Sequence, residues 1–450
     1  MLCAEKAAFA MPRQYCRIYA SVAACLFFIA ACPGYCPARD VSHPEVNWGG
    51  YLRTIGSITA IDSKSIYGQV DAGPYYDGQV ELRLKNEIFL GSRWAVETHY
   101  EVVAAGGDTR ANNSKLKSTY PCQVPDTLLA ASVIRDDQRF FSLTHTLINE
   151  NDVVIYQRLD RLNVTYSPSW GSIKAGRQAL TWGNGMVFNP MDLFNPFAPT
   201  TIQRDYKVGD DMVLGQVYFG NHEGQVLYIP RRNSEDDDVS DDCSSYVGKV
   251  HLALNVLETD FMAARHYDDD IFGWGATGYL GDAAWRLNAV YTRVSDRYEQ
   301  DDFLQAVANI DYAWQWAGKN IYGLLEFYYN GLGRKDDYAQ ALETPYILDR
   351  LARGYLFSLG RYYMAGLLQI ELHPLVHNDW TWIANVEDPS GVLLPQLIWD
   401  ATTNTQLILG AQWHWGADGT EHGGFNTSLG PQTIKIIHQD RIYLWLTYSF

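Results

Sequence analysis

The last eleven residues of the chain, DRIYLWLTYSF from Asp440 to Phe450, decide the fold class. Counting back from the C-terminus, every second position is apolar or aromatic: Phe450, Tyr448, Leu446, Leu444 and Ile442. A period of two predicts a β-strand with one apolar face. An edge strand of a secreted sandwich is the alternative, but a chain that stops on a bare aromatic leaves that end exposed to water. We therefore expect the apolar face to meet lipid.

This ending resembles the closing strand of bacterial outer-membrane β-barrels, in which a terminal aromatic residue also serves as the recognition signal for the insertion machinery. The resemblance implies an assembly signal at Tyr448 and Phe450. It also implies that the partners are outer-membrane lipid and the barrel-insertion machinery. An even number of strands would place both termini in the periplasm of a bacterial cell.

The composition excludes several other classes of protein. The formal net charge of −17 argues against nucleic-acid binding, which requires a basic face. After the first forty residues there is no run of about 18 apolar residues, so a helical membrane protein is excluded. The 30 tyrosines suit the aromatic girdles of a barrel. We predict no cofactor and no metal site.

Residues 1–38 are predicted to be a secretory signal peptide. Arg13 and Arg17 precede an apolar stretch from Ile18 to Ala31, and cleavage is expected near Ala38. Lipidation at Cys32 is the alternative processing route. The remaining residues, 39–450, form a single predicted barrel domain.

Two cysteines remain after the leader is removed. Cys122 and Cys243 would then enter an oxidising compartment, where an isolated pair usually bonds. We therefore predict a Cys122–Cys243 disulfide.

Alternating segments of about ten residues recur from Asn47 onward, which is the length that a tilted strand needs to cross the hydrocarbon core. Short connections alternate with long ones, as in bacterial barrels. The predicted fold is all-β: one antiparallel up-and-down transmembrane barrel with about eighteen strands and a water-filled lumen. Sixteen strands is the alternative, because the segment from Gly354 to Pro374 is long enough to be miscounted. The approximate predicted strands are 46–58, 79–90, 93–104, 159–167, 171–180, 211–219, 223–230, 246–256, 260–268, 271–280, 283–294, 303–316, 320–331, 355–373, 379–387, 392–401, 405–416 and 440–450.

The third long connection is the most distinctive stretch: GRQALTWGNGMVFNPMDLFNPFAPTTIQRDYKVGDD, from Gly176 to Asp211. A loop left in water would not be built from so many apolar residues and prolines, so we expect it to fold inward. Its Gly-Arg-Gln strand followed by Trp-Gly resembles uncharacterised porin-type outer-membrane proteins. The resemblance implies a porin for the passive diffusion of small hydrophilic solutes, constricted by residues 181–211. The solute is not identified.

Charged residues of this loop and of the inward strand faces are the candidate site residues. The predicted constriction residues are Arg177, Asp192, Arg204, Asp205, Lys207 and Asp210. A salt-bridged anchor to the wall is an equally good interpretation of the charges at the end of the loop, and the two roles are compatible. The predicted pore-lining residues are Arg83, Lys85, Glu97, Arg161, Lys249, Arg286, Glu326, Arg361, Glu371 and Arg441.

Two other functions fit a barrel. The first is a sleeve around a partner, such as a periplasmic multihaem cytochrome or a lipoprotein, although a constricting loop argues against it. The second is a barrel enzyme, but the eleven histidines are scattered and no nucleophile-elbow spacing is present. A non-enzymatic channel is the prediction, and a homo-oligomer is left open.

Overall fold

The C-terminal strand joins the first strand of the chain and closes a barrel. The computed structural model describes residues 44–119, 136–201, 206–233, 237–429 and 432–450. The predicted signal peptide, Cys32 and Cys122 lie outside the described residues, as do Arg204 and Asp205. The disulfide and the processing of the leader therefore stay predictions.

The described residues form mainly β-strands. The strands are β1 (Glu45–Thr59), β2 (Tyr75–Leu90), β3 (Trp94–Gly107), β4 (Thr144–Asn149), β5 (Val153–Tyr166), β6 (Gly171–Gln178), β7 (Asp210–Phe219), β8 (His222–Ile229), β9 (Ser245–Ala253), β10 (Glu258–His266), β11 (Asp269–Leu280), β12 (Ala283–Arg293), β13 (Phe303–Trp316), β14 (Lys319–Asn330), β15 (Tyr362–His373), β16 (Val376–Asn385), β17 (Ser390–Thr402), β18 (Thr405–Trp415), β19 (Phe425–Leu429), β20 (Gln432–Ile436) and β21 (Arg441–Ser449). The helices are α1 (Asp108–Thr119), α2 (Tyr338–Ala341) and α3 (Pro345–Ala352). No described helix has both the length and the hydropathy needed to cross a membrane.

Eighteen of these strands pair antiparallel in chain order around a closed barrel. The wall runs β1-β2-β3, then β5 through β18, and then β21, which pairs with β18 on one side and with β1 on the other. Tyr51 lies opposite Ser449 and Thr59 lies opposite Arg441 at the closing seam. The prediction of an eighteen-stranded antiparallel barrel is confirmed, and the sixteen-stranded alternative is wrong.

The outer surface of the wall is an apolar belt. On β21, Ile442 is 59% exposed, whereas its neighbour Tyr443 is 2% exposed. On β2, Val80 is exposed, whereas Glu81 and Arg83 are buried. Because successive side chains of a strand point to opposite faces, the exposed apolar residues face outward and the buried polar residues face the lumen.

Short turns join the strands at one end of the barrel and mostly long connections join them at the other. The short-turn end carries the turns after β2, β5, β7, β9, β11, β13, β15 and β17, and both described termini lie there. The predicted fourteenth strand, 355–373, begins too early, because residues 355–361 belong to the connection that follows α3 and the turn at Gly354 (φ 69°), and β15 begins at Tyr362. Arg361 therefore lies in a connection, not in a strand.

Three strands were not predicted. β4 pairs with residues 154–158 of β5, above the part of β5 that pairs with β6. β6 ends at Gln178, and β4 takes its place as the neighbour of β5 over residues 154–158. β19 and β20 form a separate hairpin in the connection between β18 and β21. Ile434 of this hairpin packs against Ile66 and Leu116.

Candidate solute pathway

The luminal segment, as we call residues 179–201 and 206–209, follows β6 and packs against inward-facing side chains of the barrel wall. The first contacts are apolar. Trp182, Met191, Leu193 and Phe194 form one cluster with inward side chains of β7 through β12. The shared wall residues are Met212, Leu214, Leu227, Ile229, Val247, Met262, Ala264, Ile271 and Val290.

A second cluster carries the luminal segment to the far wall. Val187 and Phe188 pack against inward residues of β13 through β17, and the ring of Phe188 stacks on Tyr328 at a centroid distance of 4.4 Å. Burial of this many apolar side chains explains why the stretch contains so few polar residues. Each fully buried large side chain contributes about 1.5–3 kcal/mol.

Gly183 supplies the tight turn behind the Trp-Gly pair. Its φ is 88°, a conformation that L side chains rarely adopt. A Cβ at this position would lie 2.2 Å from Asn189 Oδ1. The Asn189 side chain in turn donates to the carbonyl of Trp182 at 2.8 Å. The local sequence therefore folds the luminal segment back on itself.

The carboxylate of Glu326 on β14 holds the middle of the luminal segment. It accepts hydrogen bonds from the backbone N–H groups of Met186 at 2.8 Å, Val187 at 3.0 Å and Phe188 at 2.7 Å. A fourth bond comes from Asn309 Nδ2 at 3.0 Å. Glu326 is 1% exposed. This predicted pore-lining residue is therefore covered by the luminal segment, and it binds that segment to β14.

The end of the luminal segment reaches the opposite side of the barrel. Gln412 of β18 donates to the carbonyl of Thr200 at 3.3 Å. The ring of Tyr206 then lies 5.4 Å from the ring of Tyr51 on β1, and Lys85 Nζ lies 4.2 Å above the Tyr206 ring. The described parts of the luminal segment therefore contact strands around most of the wall.

An internal ion pair joins the middle of the luminal segment to its end. Lys207 Nζ binds the carboxylate of Asp192, and it also donates to the carbonyl of Leu180 at 2.5 Å. Burial raises the pKa of Asp192 to about 6, although the charge of Lys207 acts in the opposite direction. Burial also lowers the pKa of Lys207. Loss of water therefore outweighs the attraction between the two charges for both groups.

Arg177, the arginine of the Gly-Arg-Gln motif, forms buried salt bridges that stabilise the barrel wall. It is 1% exposed, and its Nε and Nη2 bind the carboxylate of Asp211 at 2.8 and 2.9 Å. Its Nη1 binds Asp136 at 3.1 Å, and Asp210 pairs with Arg231 at 2.7 Å. These contacts hold β6, β7 and the residues before β4 together where the luminal segment begins and ends.

A buried charge network supports the return of the luminal segment to the wall. Arg83 pairs with Asp160 at 2.8 Å and with Glu101 at 3.0 Å. Arg161 pairs with Asp160 at 2.6 Å and also donates to the carbonyl of Lys207 at 2.5 Å. The predicted pore-lining residues Arg83 and Arg161 are thus buried, and they position the luminal segment.

The other predicted pore-lining residues are partly exposed and lie apart from one another. Lys249 pairs with Asp260 at 3.0 Å and Arg286 pairs with Asp311 at 2.7 Å, so positive charges are matched by neighbouring acids. The remaining contacts are Glu97 with Lys174 at 2.9 Å, Glu371 with Asn320 at 2.8 Å, Arg361 with the Gly333 carbonyl at 3.0 Å, and Arg441 with Gln412 at 3.2 Å.

The salt-bridged anchor considered for the end of the loop includes Asp211, which pairs with Arg177. Sequence reasoning missed two other acidic partners of these arginines, Asp136 and Asp160, which are both buried and hydrogen-bonded to arginine side chains. Asp160 is separated from its partner Arg83 by 77 residues, so only the pairing of β2, β3 and β5 brings the two together. The sequence did contain one indication: Arg158 and Asp160 are two positions apart on β5, so both side chains point toward the lumen.

A large cavity borders the luminal segment on one side. A cavity of about 630 Å³ lies between the inner faces of β1–β3 and β21, under the β19–β20 hairpin. Gln412 lines this cavity and also binds Thr200, so the cavity borders the luminal segment. On the β13–β14 side, residues 350–358 cover the luminal segment and leave a cavity of only about 60 Å³.

The lining of the larger cavity is largely apolar. Ile55, Tyr75 and Trp445 contribute apolar surface, and the guanidinium groups of Arg110 and Arg441 lie in the same wall. A solute on this path would therefore meet apolar walls with a few polar groups, which is the usual character of small-molecule sites.

The barrel resembles solved structures of outer-membrane channels over nearly its whole length. OccAB1 of Acinetobacter baumannii is 10% identical with a TM-score of 0.52, and the match covers 90% of this chain and 96% of that one. OccK5 (OpdH) of Pseudomonas aeruginosa is 8% identical with a TM-score of 0.50, covering 90% and 98%. A double variant of OccD1 (OprD) is 10% identical with a TM-score of 0.50, covering 90% and 95%.

The chain has the fold of the outer-membrane porins. The porin-type resemblance seen in the sequence is thereby confirmed. At 8–10% identity the likeness concerns the fold. No family model matches this porin-fold chain, and no curated protein matches it.

Proposed function

We propose that this chain is a porin of the bacterial outer membrane, through which small hydrophilic solutes diffuse passively. The observation that carries the proposal is the luminal segment, which crosses a closed barrel and leaves an open cavity of about 630 Å³ on one side. A wide barrel selects by size only if something narrows it. An apolar segment held by two clusters and Glu326 is suited to that task.

The apolar belt supports a membrane location. Exposed Ile, Leu, Val, Phe and Trp side chains cover the outside of the wall, whereas charged side chains are confined mainly to the lumen and the connections. The short turns would face the periplasm and the long connections the exterior, as bacterial barrels usually have them. Both termini of the described barrel would then be periplasmic.

The charges within and directly after the luminal segment act mainly as anchors in this proposal. Asp192, Lys207 and Asp210 are each less than a tenth exposed, and each is paired. The partly exposed Lys85, Arg286 and Arg441 are better placed to meet a passing solute. The role of Arg204 and Asp205 stays a prediction.

A passage for solutes explains the lumen better than a sleeve does. A sleeve must leave its lumen free for a protein partner, but here residues 182–194 and 206–209 contact opposite walls. The proposal also assigns a transport role to the chain, with no catalytic step.

The size of admitted solutes tests the proposal. Liposomes containing the refolded wild-type protein should swell in small sugars and swell progressively less as the sugar becomes larger. Replacing residues 186–200 with a short Gly-Ser linker removes both apolar anchors of the second cluster, so larger sugars should then enter. A linker in place of residues 296–301, in the exposed connection after β12, is the control and should leave the size limit unchanged. An identical size limit in both variants would contradict the constriction.

A further inference from the structure

Three histidines from the end of β18 and the connection to β21 meet beside the cavity. His414 is the penultimate residue of β18, His422 precedes the β19–β20 hairpin, and His438 follows it. Their ring centroids lie 5.0 Å apart for His422 and His438, 5.2 Å for His414 and His438, and 5.8 Å for His414 and His422. Their sequence separation gives no motif, so the fold alone brings them together.

These distances between ring centroids match the distances expected for histidines that bind one metal ion. A Zn–N bond is about 2.0–2.1 Å, so the ring centroids of two histidines bound tetrahedrally to one zinc ion lie about 5 Å apart. The rings here are stacked at 17° to 32°, and the described residues contain no group of three ligands already arranged around an ion. Binding requires the rings to turn about their Cβ–Cγ bonds so that one nitrogen of each points to a common centre.

The local contacts favour a ligand at this place. The Nδ1 atom of His422 is buried and has no hydrogen-bond partner, which is a cost that a metal bond would remove. Asp440 Oδ1 lies 3.3 Å from Nδ1 of His414, in the position of a carboxylate that orients a ligating imidazole. His438 is exposed and lines the cavity, so an ion can reach the cluster from the lumen.

We propose that His414, His422 and His438 bind one divalent transition-metal ion of the zinc class. Neutral imidazole suits Zn²⁺, Cu²⁺ and Ni²⁺, whereas Mg²⁺ and Ca²⁺ prefer oxygen ligands. Three protein ligands leave a fourth coordination position for water or another small ligand. The bound ion ties both ends of the β19–β20 hairpin to β18 and so fixes the roof of the cavity.

Zinc binding to the full-length, untagged, folded barrel tests this site directly. After equilibrium dialysis against micromolar Zn²⁺ in excess Mg²⁺, the wild-type protein should retain one zinc ion per chain. His422→Ala and His438→Gln should each weaken the affinity at least tenfold. The control is His251→Ala, which removes a lumen histidine paired with Asp260 and should leave zinc binding unchanged.

Two results would overturn the proposal. One is a wild-type protein that retains no zinc. The other is equal zinc retention by wild type, His422→Ala and His438→Gln, all verified as folded by heat-modifiable gel migration. The measurement needs no transport, so the metal site and the porin function fail or succeed separately.

Discussion

Removing the carboxylate of Glu326 should release the middle of the luminal segment. Glu326→Ala deletes the acceptor of three backbone N–H groups, those of Met186, Val187 and Phe188. A buried polar group left unsatisfied costs about 1–3 kcal/mol, so three of them cost on the order of 3–6 kcal/mol once some water has entered. Because 1.4 kcal/mol is a factor of ten, the detached population should rise at least a hundredfold. The Phe188–Tyr328 stack opposes full release.

Chymotrypsin digestion measures detachment without reference to transport, since Phe188 becomes a substrate only when the luminal segment leaves the wall. We expect rapid cleavage in Glu326→Ala, slow cleavage in wild type, and an intermediate rate in Glu326→Gln, which keeps one acceptor oxygen. Single-channel currents should become larger and noisier in the same order. Glu371→Ala is the matched control, because Glu371 also faces the lumen but contacts Asn320 on the neighbouring strand. Wild-type cleavage rates and currents in a folded Glu326→Ala protein would refute this account of the anchor.

Three further predictions concern assembly, covalent structure and pH. Deleting Phe450, whose backbone pairs with Gly50 at the closing seam, should greatly reduce the yield of heat-modifiable barrel, and a normal yield would contradict the assembly signal. Cys243 should resist alkylation until reductant is added, because a bond to Cys122 leaves no free thiol. Such a bond typically contributes about 2–4 kcal/mol to stability, and two free thiols in unreduced protein would exclude the disulfide. The raised pKa of Asp192 means that the folded state binds this proton more tightly than the unfolded state, so docking should be about 1–2 kcal/mol more stable at pH 5 than at pH 7. Hydrogen exchange within the luminal segment, corrected for intrinsic rates, should therefore be slower at pH 5, and faster exchange would show that the sign is wrong.

Alternation along the chain predicted every wall strand because lipid on one side and water or packed polar groups on the other enforce a period of two. β4 escaped prediction because six residues, THTLIN, are too few to establish a period. The predicted start of β15 was wrong because residues 355–361 continue the apolar character of the strand, although they pack in a connection beneath α3. Leu356, for example, is buried with Ile347 of α3.

The alternation of side chains along each strand predicted which residues face the lumen, but alternation alone does not show what covers those residues. Glu326 has the same inward parity as Glu371, yet Glu326 is buried under the luminal segment while Glu371 remains half-exposed. The difference arises because Val187 and Phe188 dock on β14, which is a long-range event with no local sequence signal. Likewise, Asp192 and Lys207 pair only after the luminal segment has crossed the lumen and returned.

Single-channel recording of the wild-type protein in a planar bilayer tests the central claim most directly. The refolded, heat-modifiable barrel should insert in discrete steps of uniform conductance. Those steps should increase when residues 186–200 are replaced by a linker, since the luminal segment is the constriction. A folded barrel that inserts without conducting, before and after that replacement, would contradict the account.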